Sequence, residues 1–341
     1  MNRYRLTFIL FFAFTFTFAQ TDSAAYFLQK GLEEKQAGRK MEVWKNLEKA
    51  YKYAPENKQV VTELAAILLD LRKYGQAKEM FQQLEKLGDH SAANYKQLMD
   101  LSFSLKQHDE AIHYAGKLKQ TDGNAKVSYV IGKANYDKEN YGDAIQHLLA
   151  AEKEEPDNAE IPYLIGRSYA DMFTYKFAIP YYQKAIALAP DKAHWIYELA
   201  MISYAVGNNP DALKYMLLAG EKGYRKDNDY NYNLGVAYLN NGKLAEGLEI
   251  FSGLLKKRPS DLNILNIVAE SYYFSGKYKE AMKYWDDILY YDKENASALY
   301  MIGMCYQKMG DKEKGIALCD KAIEMDPSLA NLKQKRMMMG M

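Results

Sequence analysis

The chain has 341 residues, 48% of them apolar and 26% charged, with a formal net charge of +1. That length exceeds what one compact core usually supports. The near-zero charge excludes broad electrostatic attraction to nucleic acid or to an anionic membrane surface, and two cysteines are too few for a disulfide framework.

The amino end reads as a targeting segment. Arg3 and Arg5 precede an apolar run of 14 residues, Leu6 to Ala19. A helix needs roughly 20 apolar residues to span a bilayer, so the run fits the apolar core of a secretory signal peptide over residues 1–19. Thr17 and Ala19 are small residues at the spacing a signal peptidase accepts. Cleavage is expected before Gln20, leaving a short leader over 20–23, a periplasmic or secreted chain and a net charge near −1 once the two arginines are gone. A short buried helix and an uncleaved anchor are the alternatives. No cysteine follows the run, which argues against a lipid anchor. No second long apolar run follows, so no integral membrane segment is expected after cleavage.

Beyond the leader, similar segments end in a proline: WKNLEKAYKYAP at Pro55, AIQHLLAAEKEEP at Pro156, AIPYYQKAIALAP at Pro190, GLEIFSGLLKKRP at Pro259 and GIALCDKAIEMDP at Pro327. The gaps are 101, 34, 69 and 68 residues, close to three, one, two and two units of 34. That period divides residues 24–329 into nine repeats, starting near Ala24, Lys58, Ala92, Ala125, Ala159, Ala193, Asn228, Leu262 and Ala296. Each repeat holds two helical stretches separated by a turn such as Gly207-Asn208, Asn241-Gly242 or Gly310-Asp311. Proline ends the second helix, because it lacks an amide donor and restricts the residue before it. Pro180 sits near the start of its helix, where proline is better tolerated.

Repeat five has Ile165, Gly166, Tyr169, Ala178, Tyr182, Ala185 and Pro190. Repeat nine has Leu299, Ile302, Gly303, Tyr306, Ala322 and Pro327, with Cys319 where an aromatic is usual. Repeat seven has Leu234, Gly235, Tyr238, Phe251 and Pro259, with Gly247 and Leu254 in place of alanines. This pattern resembles the tetratricopeptide repeat family. The resemblance implies an all-α fold, a right-handed α-solenoid of about nine helix-turn-helix repeats in which each unit packs on its neighbours. Repeats two and three depart furthest: repeat two ends in Gly88-Asp89 without proline, and repeat three has Ala115 where an aromatic is expected. Repeat six carries one extra residue around Gly223. Residues 330–341 read as a capping helix and tail, with Lys333, Lys335 and Arg336 to solvate the open end.

The resemblance also implies a groove lined by positions 2, 5, 9 and 12 of each repeat's first helix. Position 5 holds Tyr129, Tyr163, Tyr197, Tyr232 and Tyr300. Position 12 holds Phe103, Tyr136, Tyr204 and Tyr273. Position 9 holds Asp100, Lys133, Arg167, Met201, Glu270 and Met304. The expected ligand surface is therefore a tyrosine strip over repeats four to nine, where each ring offers buried area and a hydroxyl at little cost in torsional freedom. The bland reading is that these rings pack on one another. Lys133 and Arg167 could together hold a carboxylate or phosphate; ordinary ion pairs to Asp137 and Asp171, four residues on, are the favoured reading. A subgroup of the family grips chaperone tails with Lys at position 5 and Asn at position 9. Here those positions read Lys96 with Asp100, Tyr129 with Lys133, and Asn266 with Glu270, so that clamp is absent.

No other chemistry stands out. His90, His108, His113, His147 and His194 are scattered, and His108 and His113 lack the four-residue spacing that puts two metal ligands on one helix face. There is no phosphate-cradling Gly-rich loop followed by Lys-Ser or Lys-Thr, and no G-x-S-x-G elbow. No cofactor or metal is expected. Cys305 and Cys319 fall at positions expected to be buried, as free thiols or as one disulfide. The leading expectation is a non-enzymatic protein–protein interaction scaffold of the cell envelope that binds a peptide or helical segment in the tyrosine-lined groove. A glycan or small-ligand binder is the alternative, and an enzyme with an unrecognised site ranks last.

Overall fold

A computed structural model of the chain describes residues 22–331. These residues form eighteen α-helices and no strand. They divide into two compact units, the first closing at Leu188 and the second opening at Ala189. The first unit holds α1 (22–36), α2 (Lys40–Tyr53), α3 (Lys58–Asp70), α4 (Tyr74–Lys86), α5 (Ala92–Ser104), α6 (His108–Thr121), α7 (Ser128–Asp137), α8 (Tyr141–Glu154), α9 (Glu160–Asp171) and α10 (Tyr175–Leu188). The second holds α11 (Ala193–Ala205), α12 (Asn209–Glu221), α13 (Asn228–Asn240), α14 (Leu244–Lys257), α15 (Leu262–Phe274), α16 (Tyr278–Tyr291), α17 (Ala296–Lys308) and α18 (Lys312–Met325), followed by a 3-10 turn at Pro327–Leu329. Within each unit consecutive helices pack against each other, the arrangement of a tetratricopeptide-like α-solenoid. The amino-terminal apolar run lies outside the described residues, and so does the expected capping helix apart from residues 330 and 331, which are helical.

The packing inside each pair turns on one close approach. Gly132 of α7, Gly166 of α9, Gly235 of α13 and Gly303 of α17 face, respectively, Leu148, Tyr182, Phe251 and Cys319 of the helix that follows. A Cβ built on these glycines would lie 2.7–2.9 Å from those side chains, closer than real atoms come. Repeats with alanine at the same place bury it completely, as at Ala65, Ala200 and Ala269. Repeat three exchanges the two sizes. Met99 stands where the others have Gly or Ala, Ala115 stands where they have a large side chain, and both are buried in one cluster. The departure that made this repeat hard to align conserves volume, which is what a close-packed core tolerates.

Two backbone devices set the turns. Between the two helices of every repeat one residue adopts a left-handed conformation: Gly38, Arg72, Lys106, Glu139, Phe173, Gly207, Gly242, Gly276 and Gly310 in turn. The next amide reaches back five residues to the helix, as from Gln107 to the Ser102 carbonyl at 2.8 Å and from Lys277 to the Tyr272 carbonyl at 2.9 Å. This is the Schellman closure of a helix C-terminus. At the other end of the repeat, the residue before four of the turn prolines leaves the helical region, with φ of −141° at Ala54, −139° at Glu155, −137° at Arg258 and −135° at Asp326. Asp122 and Asp292 take the same geometry with no proline behind them. Proline therefore reinforces a bend that the repeat makes anyway.

Two stability predictions follow from these contacts. Gly303→Ala would gain about 1 kcal/mol of helix propensity in open space. Here, however, the new methyl meets the backbone oxygen of Gly315 at 2.8 Å and the backbone nitrogen of Cys319 at 3.0 Å, so the variant should lose about 1–3 kcal/mol in urea unfolding. Gly253→Ala, in open space on exposed α14, should be stabilised in the same assay. Separately, Lys106 holds φ of 58°, where a Cβ costs about 1–2 kcal/mol. Lys106→Gly should therefore raise stability by up to about 1 kcal/mol after the entropy lost from the unfolded chain is counted.

Candidate functional site

In the first unit the predicted site residues are brought together and bonded to one another. Tyr129, Lys133 and Tyr136 stand on α7, and Tyr163 and Arg167 on α9. Lys133 lies 5.8 Å from the centre of the Tyr129 ring, donates to its hydroxyl at 3.4 Å, and is ion-paired with Glu160 at the start of α9. The partner of Lys133 is thus the neighbouring repeat rather than Asp137 on its own helix. The Tyr136 hydroxyl donates to Asp171 at 2.9 Å. The Arg167 guanidinium lies over the Tyr136 and Tyr163 rings at 5.8 and 6.0 Å and donates to the Tyr163 hydroxyl at 3.3 Å. Tyr163 itself is buried, edge-on to Tyr182. Burial pushes the Tyr129 phenol up to about 12, helped by the Glu160 carboxylate. Burial and the bond to Asp171 raise Tyr136 further.

The second unit treats its tyrosines differently. Tyr197 of α11 stacks on Tyr224 at 4.1 Å with an interplanar angle of 9°, and its hydroxyl accepts from Asn233 at 2.8 Å. Tyr224 belongs to the loop lengthened by one residue beside Gly223, which has φ of 92°. The insertion in repeat six therefore carries a ring that covers one face of Tyr197. Tyr232 of α13 stands edge-on to Phe251, and Tyr273 of α15 packs edge-on to Trp285, Tyr278 and Phe274. Tyr300 of α17 is 4% exposed, within a cluster that includes Ala296, Met304, Cys319 and Leu329. Two position 5 rings thus lean on the large residue of the following helix, Tyr163 on Tyr182 and Tyr232 on Phe251, while Tyr300 lies within the cluster of Cys319.

Of the residues expected in the groove, Tyr204, Tyr232 and the position 9 residue Glu270 line an open cleft of about 720 Å³ among α11, α13 and α15. The other main walls are Val236 and Leu239 of α13 and Ile267 and Phe274 of α15. A smaller recess of about 200 Å³ shares Tyr204, Tyr232 and Val236 and adds Met201 and Asn233. Phe274 is 81% exposed at the rim and Tyr204 is 46% exposed. The volume of the larger cleft is in the range of ligand pockets, roughly 300–1,000 Å³, and its walls mix apolar side chains with the polar groups of Asn240, Glu270, Ser271 and Ser275. The placement of tyrosines does not point to Val236, Leu239, Ile267 and Phe274. The available signal was their placement at or next to groove positions in adjacent repeats.

Among the described residues no group of three or more His, Cys, Asp or Glu is placed to hold a metal ion, and no helix is long and apolar enough to cross a membrane. Cys305 and Cys319 are buried free thiols, and burial pushes the Cys305 thiol up to about 12.

Two family models, each described as a tetratricopeptide repeat, match residues 296–329 and residues 129–193 and 197–261. No curated protein matches the chain. Among solved structures it is similar to the C-terminal part of a TPR repeat-containing protein from Cytophaga hutchinsonii, at 21% identity over 67% of this chain and 94% of that one, with a TM-score of 0.47. It is also similar to YrrB, a TPR protein with an unusual peptide-binding site, at 20% identity over 55% and 97% of the two chains and a TM-score of 0.43. MamA from Desulfovibrio magneticus RS-1 is similar at 20% identity over 51% and 98%, again with a TM-score of 0.43. The recurring helix pairs, their glycine contacts and the family matches define a repeat scaffold for protein–protein interaction, a class that is typically non-catalytic. Residues 129–193, 197–261 and 296–329 are tetratricopeptide repeats.

The Tyr129 environment yields a pH prediction. Its phenol ionises near 10 when unfolded and near 12 when folded, so the folded state holds the proton more tightly. The stability this contributes is complete below pH 10 and is lost as pH rises through about 12. Alkaline denaturation of Tyr129→Phe should therefore lack part of the wild-type loss of stability in that window.

Proposed function

We propose that this protein is an exported scaffold of the cell envelope that holds an extended or helical segment of a protein partner in the cleft among α11, α13 and α15. The observation that carries the reading is the open cleft of about 720 Å³, walled by Tyr204, Tyr232, Val236, Leu239, Ile267 and Phe274. Exposed aromatic rings beside aliphatic walls are the surface on which a partner's apolar side chains gain most, because ring area is buried with few torsions frozen. The first-unit residues support the same scaffold in another way. Lys133, Tyr136 and Arg167 have partners already, so they stiffen the array. Export rests on Arg3, Arg5 and the apolar run to Ala19.

The test is in-cell crosslinking with the amino-terminal segment retained, comparing the wild type with a Tyr204→Ala/Phe274→Ser variant of equal abundance and helicity. Both side chains are substantially exposed, so the fold should persist. The expected result is an envelope protein crosslinked to the wild type and reduced at least about tenfold by the variant, as for aromatic anchors each worth above about 1 kcal/mol. A partner retained in full by the variant overturns the cleft assignment. Mass spectrometry of the same material should find Gln20 as the first residue; an intact amino end overturns cleavage, and a chain confined to the cytoplasm overturns export.

A further inference from the structure

One side chain in the cleft is unlike the rest. Of the described residues that line it, Glu270 alone is charged. It stands on α15 between Ile267 and Phe274, with Tyr232 of α13 on the opposing wall. No described lysine, arginine or histidine pairs with it. Elsewhere in this protein Glu160 pairs with Lys133, and Glu85 with Lys117 at 2.5 Å.

The position of Glu270 is set from beneath. The Trp285 indole, fully buried on α16, donates to the Asn266 side-chain oxygen at 3.0 Å. An indole N–H can only donate, so this bond fixes which end of the Asn266 amide faces Trp285. The amide nitrogen is then turned the other way, and it donates to Glu270 Oε1 at 3.0 Å. The second carboxylate oxygen has no described donor. An ionised carboxylate has about four acceptor sites and uses one of them here. The arrangement holds an acceptor in place at an apolar wall and leaves most of its capacity open.

We infer that the cleft selects a peptide segment in which a lysine or arginine is flanked by large apolar side chains, the cation pairing with Glu270 while its neighbours pack on Tyr232, Ile267 and Phe274. The inference rests on the cleft being the docking site proposed above, and adds the chemistry of what docks. Its physical basis is the cost of the alternatives. A wholly apolar segment filling the cleft would strip water from Glu270 and leave its charge unpaired, which is strongly unfavourable. An acidic segment would add repulsion. A basic side chain restores the lost hydration with charge-assisted bonds, and its aliphatic stem lies along the apolar wall. Discrimination thus comes as much from what Glu270 rejects as from what it attracts.

The test uses the full chain lacking residues 1–19, immobilised and panned against a random dodecapeptide display library. Enriched sequences are resynthesised with a fluorophore, and dissociation constants are measured for the wild type, Glu270→Gln and Phe274→Ser. Phe274 is almost fully exposed, so the last variant reports occupancy of the cleft without disturbing the core. The expected result is enrichment of Lys or Arg beside bulky apolar residues. Both variants should weaken binding, Glu270→Gln by about tenfold, the worth of one hydrogen bond to a charged group. Replacing the peptide's cation with glutamine should cost the wild type about as much and cost Glu270→Gln little. Peptides that lose affinity in Phe274→Ser but carry no cation, or ignore Glu270→Gln, overturn the selection for a cation and leave the docking site standing. Peptides indifferent to both variants, or no enrichment over an uncoated surface, overturn the docking site and the selection together.

Discussion

Everything in this structure is organised around the distance at which the two helices of a repeat can pack. That distance is set where a glycine or alanine of the first helix lets the second bring a large side chain against its backbone. At Gly166 the room a Cβ would need is already taken by the Tyr182 ring, and at Gly235 by Phe251. Because the contact is small against large, it specifies which helix face meets which, and so which residues are left to face outward. Repeats seven and nine press further. Gly247 and Gly315 of the second helices also meet backbone, with the Gly235 and Gly303 carbonyl oxygens 3.1 and 2.6 Å from where a Cβ would stand. Once the pair is this close, there is little freedom left for the next pair, and the array propagates by neighbour contacts.

The turns obey the same geometry. A helix hairpin this tight needs the chain to reverse within a few residues, and the left-handed residue after each first helix does that while satisfying its last carbonyls. Five of the nine positions are glycine, where the conformation costs little. Arg72, Lys106, Glu139 and Phe173 occupy it in four successive repeats of the first unit. The fold imposes the conformation whether or not the local sequence favours it, which is tertiary packing overriding local preference. Glu139 and Lys106 also put charged side chains at the turn tips, where they remain solvated.

Much of the fold was legible because repetition supplies many readings of one constraint. The glycines at 132, 166, 235 and 303 recur in register, as do the prolines at 156, 190, 259 and 327, and no single one had to be trusted. The exchange at Met99 and Ala115 was harder to see, because it conserves a sum of volumes while changing both residue types. The groove was less legible still. A tyrosine at position 5 can point into open space or lie on the residue opposite, and sequence spacing does not distinguish the two. Tyr300 and Tyr163 at position 5 are buried, while Tyr204, a groove tyrosine at position 12, is half exposed. The stacking of Tyr224 on Tyr197 depends on a one-residue insertion whose path could not be read from the repeat that it interrupts.

The difference between the two groups of polar side chains is one of compensation. Around α7 and α9, the cations Lys133 and Arg167 each meet a tyrosine ring and a hydroxyl, and Lys133 also meets Glu160. A ligand carboxylate or phosphate arriving there would have to displace bonds already made, and the net gain would be small. Around α15 the balance is reversed. Glu270 is oriented by Asn266, which is oriented by Trp285, and the chain stops without a counter-charge. The buried tryptophan that fills the small-against-large contact with Ala269 also sets the direction of that carboxylate. The packing rule that builds the repeat thereby reaches the wall of the cleft, so the same residue that closes the core determines what polar group the cleft presents.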